Sequence, residues 1–165
     1  ERLSHFDLLV LFVVWASAAI LPAIKVYGLA FPEGELSGWV KKISRFAFVP
    51  FVLLGIWTLA HLDVGDLSFQ FYRESSILNG GCGMVILIGG TLHAGFLFSW
   101  IRRGATTSPM RAGAWAAIST ASFISFIVQF ACANENPIHV VIWHFTPLLL
   151  LTGVAALSAR RLLRW

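Results

Sequence analysis

Charge is what this chain has least of. Among 165 residues only 12 are Lys or Arg and 8 are Asp or Glu, and no charged side chain falls between Glu74 and Arg102. A soluble domain of this size needs far more polar surface, so that class is excluded. There are two cysteines, Cys82 and Cys132, too few for a disulfide-rich secreted scaffold and without the CxxC spacing of a zinc or redox motif. Neither HExxH, GxSxG nor a glycine-rich phosphate loop occurs, which removes the conventional hydrolase and nucleotide-binding signatures. The net charge of +4 and the pI near 9.6 do not point to nucleic acid, because the basic residues sit in the connections between apolar runs, where they meet anionic lipid headgroups.

What the chain has in excess is apolar surface. Hydrophobic residues make up 58 % of it, with 14 Phe and 7 Trp, and the mean hydropathy is +0.79. Five runs are long enough to cross ~30 Å of hydrocarbon at ~1.5 Å per residue: about 8–31, 46–62, 81–101, 113–133 and 138–159. The expectation is an all-α, polytopic bundle of five transmembrane helices forming one domain over 1–165, in the inner membrane, with the lipid bilayer and other membrane subunits as its partners. The first run is too long, and too bare of a small-residue cleavage site, to be a secretory signal. A chain that begins with Glu1 reads as having lost residues at its start.

Basic residues set the expected orientation. Lys41, Lys42, Arg45, Arg102, Arg103, Arg111, Arg160, Arg161 and Arg164 all fall on one side of a five-span path, against Arg2 and Arg73 on the other, and Lys25 can snorkel toward the richer side. The positive-inside rule then puts the N-terminus outside and the C-terminus in the cytoplasm. Within the spans, Pro22 predicts a kink. The segment SFQFYRESSIL in the outer loop predicts a short interfacial helix, and Asn134–Pro137 a tight hairpin between the fourth and fifth spans. Ser122, Ser125, Gln129 and Cys132 share one helical face and form a polar stripe climbing to the outer surface.

Five histidines carry the candidate chemistry. His5, His61 and His139 fall at the outer boundary, His144 in the outer half and His93 near the midplane among Gly83, Gly89, Gly90 and Ala94. Imidazole ligates copper, zinc and iron and is an axial ligand to tetrapyrroles. His93 and His144 differ in depth by only about four residues, roughly 6 Å, so they are the candidates for a haem- or chlorophyll-type ring, with interhelical hydrogen bonding as the competing role. His61, His139 and His144 are the candidates for a metal such as copper. His139 and His144 are about 140° apart on a regular helix, so a shared ion requires a local kink and a third ligand such as His61 or Asp63. For His5, His61 and His139, at the boundary, the simpler role is that of interfacial polar groups. Glu135 and His139 stand at i, i+4, a pair suited to acid–base work or to helix capping.

Topology puts Cys82, at the outer start of the third span, and Cys132, at the outer end of the fourth, at similar depth on one side. Consecutive antiparallel helices usually neighbour each other, that face is oxidising, and Gly80, Gly81 and Gly83 permit close approach, so a Cys82–Cys132 disulfide is expected. The alternatives are two small buried thiols or a thiolate pair on copper.

The run SRFAFVPFVLLGIWTLAHL from Ser44 to Leu62 is similar to the second helix of the copper-resistance D family of bacterial membrane proteins. Arg45-Phe46-Ala47 and Leu54-Gly55 stand where that family has an Arg-Phe-Ser start and a Thr-Gly pair. His5 and Trp15 before the run, and Trp100-Ile101-Arg102-Arg103 after it, follow the family's order of elements. The resemblance covers about the first two-thirds of the chain and implies copper handling at the inner membrane. Three functions are therefore carried forward: a metal- or tetrapyrrole-binding membrane protein, an accessory subunit of a larger membrane complex without chemistry of its own, and a membrane enzyme using outer His, Asp and Glu groups.

Overall fold

The computed structural model describes residues 5–31, 38–62, 67–76, 80–104, 106, 108–132, 134 and 136–163, and all regular structure among them is helical. Helix α1 (His5–Ala30) runs on through Pro22. Its buried residues Leu11, Val14, Trp15, Ala18, Pro22, Val26 and Ala30 recur at three- and four-residue steps and form a stripe facing the other helices. Helix α2 (Gly38–Ser44) and helix α3 (Val49–Ala60) follow, joined by turns at 45–48. Pro50 sits in the first turn of α3, where its missing N–H costs nothing. The second apolar span is therefore Gly38–Ala60 rather than 46–62, with Lys41, Lys42 and Arg45 exposed on it.

A short helix, α4 (Leu67–Glu74), occupies part of the segment expected to be interfacial. Helix α5 (Gly81–Ile101) buries Gly83, Ile86, Gly90, Ala94 and Ile101. Helix α6 (Pro109–Ala131) begins on Pro109 and is the hub: it packs against α1, α5 and the last helix, burying Ala112, Gly113, Ala116, Ala117, Ala121, Ser122, Ser125 and Val128 among others. Small side chains let its neighbours' backbones come close, as helix association in lipid requires. At Gly113 an added Cβ would run into the Ala159 methyl group and stand 2.7 Å from the Ala155 carbonyl oxygen.

The last helix, α7 (Pro137–Leu162), is not uniform. An α-helical first turn (Pro137–Val140) passes into a π-helical turn (Val141–Phe145) and then into a regular α-helix (Thr146–Leu162). Asn136 caps its start by accepting from the Ile138 amide at 2.9 Å. Pro147, two residues beyond the π turn, lacks an N–H and would crowd the carbonyl four residues earlier, and the wider turn absorbs both effects.

Among the described residues five helices are long and apolar enough to cross a membrane: Leu9–Ala30, Gly38–Ala60, Gly81–Ile101, Pro109–Ala131 and Pro137–Leu162. Leu92, Phe96, Phe130 and Leu149 are exposed on the outside of the bundle, a surface suited to hydrocarbon and costly in water. At one end of the bundle, Val26, Ala30, Ile101, Ala112, Ala116, Ala159 and Leu163 form a common cluster. This end carries exposed Arg102, Arg103, Arg111, Arg160 and Arg161.

Candidate functional site

Four helix ends converge at the opposite pole. Cys82 is the second residue of α5, Cys132 follows α6 directly, His139 lies in the first turn of α7, and Glu74 closes α4. The two sulfurs are 3.1 Å apart as free thiols. Cys132 Sγ stands 3.3 Å from His139 Nε2 and 3.7 Å from the Asn134 carbonyl oxygen. On the other side of the imidazole, His139 Nδ1 is 3.3 Å from Glu74 Oε2.

Glu74 is the anchor of this group, and it is only 2 % exposed. A buried carboxylate is costly unless its oxygens are occupied, and here both are. Oε2 accepts from Asn134 Nδ2 at 2.8 Å as well as from His139, and Oε1 accepts from Arg73 Nε and Nη2 at 3.2 and 3.1 Å. Its backbone carbonyl accepts from Trp143 Nε1 at 2.7 Å. Gly83 makes room for that indole, since a Cβ there would lie 2.7 Å from Trp143 Cε3. The turn at Asn134 and the start of α7 are thereby tied to one residue of α4.

A carboxylate can only accept, so the proton of a neutral His139 resides on Nδ1 and Nε2 faces the Cys132 thiol as an acceptor. The resulting order, carboxylate, imidazole, thiol, is the arrangement that activates a sulfur nucleophile. Cys82 has a competing advantage at the N-terminus of α5, where the helix dipole favours negative charge by about 0.3–1 kcal/mol. A hydrogen bond to a charged partner contributes about 1.5–3 kcal/mol, so the larger effect favours a thiolate on Cys132.

His144 completes the group. It is fully buried, its ring centroid is 6.0 Å from that of His139 and 6.2 Å from that of Trp15, and neither of its nitrogens has a hydrogen-bond partner among the described residues. The π turn brings the two imidazoles together: i→i+5 bonding stacks residues five apart, which a regular helix would hold about 140° away from each other. The donor atoms of Cys82, Cys132, His139 and His144 all lie within 4.8 Å of one another, a spacing that a tetrahedral ion would accept. The stripe of Ser122, Ser125 and Gln129 leads from the interior to Cys132, with the oxygens of both serines and Gln129 Oε1 buried and without a hydrogen-bond partner among the described residues.

Other candidates lie elsewhere. His61 stacks on Trp57 at 4.7 Å between ring centroids and bonds through Nδ1 to the Trp57 carbonyl, so it is not brought to His139 and His144. His93 is exposed on α5, 5.8 Å from the Phe123 ring. The expectation that it shares a side with Gly83, Gly90 and Ala94 is corrected here: those three centre the buried stripe, and His93 lies about 80° away from that centre at 100° per residue. It is thus not paired with His144 across a cofactor cleft. The partners invoked at Asp63 and Glu135 lie outside the described residues. Glu74 had no signal in the sequence, being 65 positions from His139.

Over residues 2–165 the sequence matches the family described as NrsF, negative regulator of sigma F. The chain belongs to the NrsF family. No curated relative and no solved structure matches it. Membership over the whole chain overturns the resemblance to the copper-resistance D family, which rested on Arg45-Phe46-Ala47, Leu54-Gly55 and Trp100–Arg103. Short runs of that kind, an aromatic belt beside basic residues at a helix end, are demanded of many membrane helices and carry little family information. It overturns the functions attached to that reading too: an NrsF protein is neither a copper handler nor a haem or chlorophyll carrier, and the accessory-subunit and membrane-enzyme alternatives do not fit a negative regulator.

Proposed function

We propose that this NrsF chain is an integral inner-membrane protein that restrains a sigma factor by holding it at the basic end of the bundle. The observation that carries the reading is the family match across residues 2–165. Charge supports the choice of end. Lys41, Lys42, Arg45, Arg102, Arg103, Arg111, Arg160 and Arg161 are all exposed, and a shallow cleft lined by Leu157, Ser158, Arg160 and Arg161 opens among them. The same residues favour a cytoplasmic position for that end under the positive-inside rule, with the Cys–His–Glu group on the opposite side of the membrane. A sigma factor is a cytoplasmic protein by trade, so the two proposals agree.

The test uses membranes carrying the full chain, with a reporter fused after Trp165. The fusion is expected to be active as a cytoplasmic protein, and sigma F is expected to sediment with these membranes and not with membranes lacking the chain. Charge reversal at Arg160 and Arg161 should lower retention, and more so at low salt, where electrostatic attraction is least screened. Sigma F remaining in the soluble fraction would refute the reading, and a C-terminus open to protease outside intact cells would refute the orientation.

A further inference from the structure

We propose that the face of α5 and α6 around His93 is an interface between two copies of this chain in the membrane. His93 lies well inside α5, about 18 Å from Gly81 and about 12 Å from Ile101 at ~1.5 Å per residue. Its side chain is exposed on the outside of the bundle. The ring stands 5.8 Å from that of Phe123 on α6, and it forms no hydrogen bond with any described residue. In a bilayer an imidazole at that depth has hydrocarbon beside it and is too short to reach either headgroup layer. Ionisable groups within a span face a bundle interior or pair with one another, so the outward position of His93 calls for a partner.

Chemistry and depth both select a second copy as that partner. A neutral imidazole carries one N–H donor and one acceptor nitrogen, so two of them form an N–H···N bond without a third group. Copies of one chain insert with one topology, and a two-fold axis along the membrane normal therefore brings both His93 side chains to the same level. An unrelated protein would need a polar group of its own at that depth. The surrounding surface matches itself as well. Leu92 and Phe96 on α5 and Phe123 and Ile127 on α6 are exposed around His93, an apolar patch that two copies can share. No charged residue occurs from Gly81 to Ile101 or from Ala112 to Ala131, so nothing on either helix repels its own copy. The inference rests on the bundle lying in a bilayer, as proposed above, and not on what the basic end binds.

The experiment takes the full chain in native membranes with p-benzoylphenylalanine in place of Phe96. Irradiation should give an adduct of twice the chain's mass that contains this chain alone. In reconstituted vesicles, donor and acceptor fluorophores fused after Trp165 on separate copies should show energy transfer that falls as lipid is added. His93→Leu should lower the apparent dimer affinity by about 3- to 15-fold, the loss of one interhelical hydrogen bond of roughly 0.6–1.7 kcal/mol, with helix content unchanged. His93→Asn, whose amide again donates and accepts, should keep most of that affinity. Adducts with lipid alone or with a different protein, a chain monomeric at every lipid ratio, or equal transfer in the parent and His93→Leu would overturn the proposal. Release of the chain from membranes by alkaline carbonate would refute the membrane reading and this inference together. A monomer that stays in the membrane and still retains sigma F refutes this inference alone.

Discussion

Gly113→Ala is the sharpest test of how the bundle is held together. The added methyl group would collide with the Ala159 side chain, approach the Ala155 carbonyl oxygen to 2.7 Å and the Phe98 ring edge to 3.2 Å. Phe98 can turn aside. A backbone carbonyl and an alanine methyl cannot, so α6 and α7 must separate at the basic end. Overpacking of this kind costs about 1–3 kcal/mol, set against a gain of about 0.4–1 kcal/mol from replacing a helical glycine by alanine. A net loss of about 1–2 kcal/mol is expected. Gly153→Ala is the control, because nothing lies within 4 Å of a Cβ there and only the helix-forming gain of up to about 1 kcal/mol remains. Equilibrium unfolding in mixed micelles, followed by circular dichroism, would compare the two, and they should differ by roughly 2–3 kcal/mol in opposite directions from the parent. Equal stability of Gly113→Ala and Gly153→Ala would refute the close approach of α6 and α7.

Ser119→Ala removes the interhelical hydrogen bond from Ser119 Oγ to the Ala19 carbonyl, 2.8 Å long and buried between α6 and α1. It should cost about 0.6–1 kcal/mol in the same assay, and an unchanged midpoint would count against it. His144→Leu replaces a buried imidazole whose nitrogens have no partner among the described residues. The exchange should be neutral or stabilising, as removal of an unsatisfied polar group usually is; a loss above about 2 kcal/mol would mean that the imidazole holds something.

Hydropathy was enough to mark the five apolar helices, because a membrane imposes the same length and composition on each of them. Their ends shifted by several residues wherever prolines and exposed basic residues, rather than apolar content, decide the boundary, as at Gly38 and Pro109. The Cys82–Cys132 neighbourhood was legible from depth and antiparallel order, since both follow from counting spans. Nothing comparable pointed to Glu74. A carboxylate at the end of a short amphipathic helix looks solvated in sequence, and only the arrival of Asn134, His139 and Trp143 from other segments buries it. The π turn was hidden as well: Pro147 announces a disturbed backbone, but whether it yields a kink or an extra residue per turn depends on packing against Gly83 and Trp143. His93 failed for a narrower reason, as an 80° difference on a helix separates a packed face from its edge.

The Cys–His–Glu group and the basic residues are at opposite poles, and the chain joins them by its most closely packed helices. Cys132 directly follows α6 and Arg111 lies near its beginning; His139 lies in the first turn of α7 and Arg160 and Arg161 in its last. A helix of 23 residues spans about 35 Å, so no side chain at the thiol pole can touch a protein held at the basic pole. What can pass between them is displacement of the helices themselves. Backbones brought together at Gly90 against Ala121 and at Gly113 against Ala155 leave little compressible side chain between neighbours, and packed interfaces of that kind shift as units between discrete arrangements rather than deform gradually. Any change in the Cys–His–Glu group that moves α6 against α7 at the thiol pole reaches their far ends in this way. The same pair carries Arg111, Arg160 and Arg161 at the other. Near the basic pole an added Cβ at Gly113 meets Ala155 and Ala159 of α7, so a side chain there displaces the two helices that carry Arg111, Arg160 and Arg161: on the proposed function Gly113→Ala should retain less sigma F than Gly153→Ala, and equal retention would show that the relation of α6 to α7 does not set the binding end.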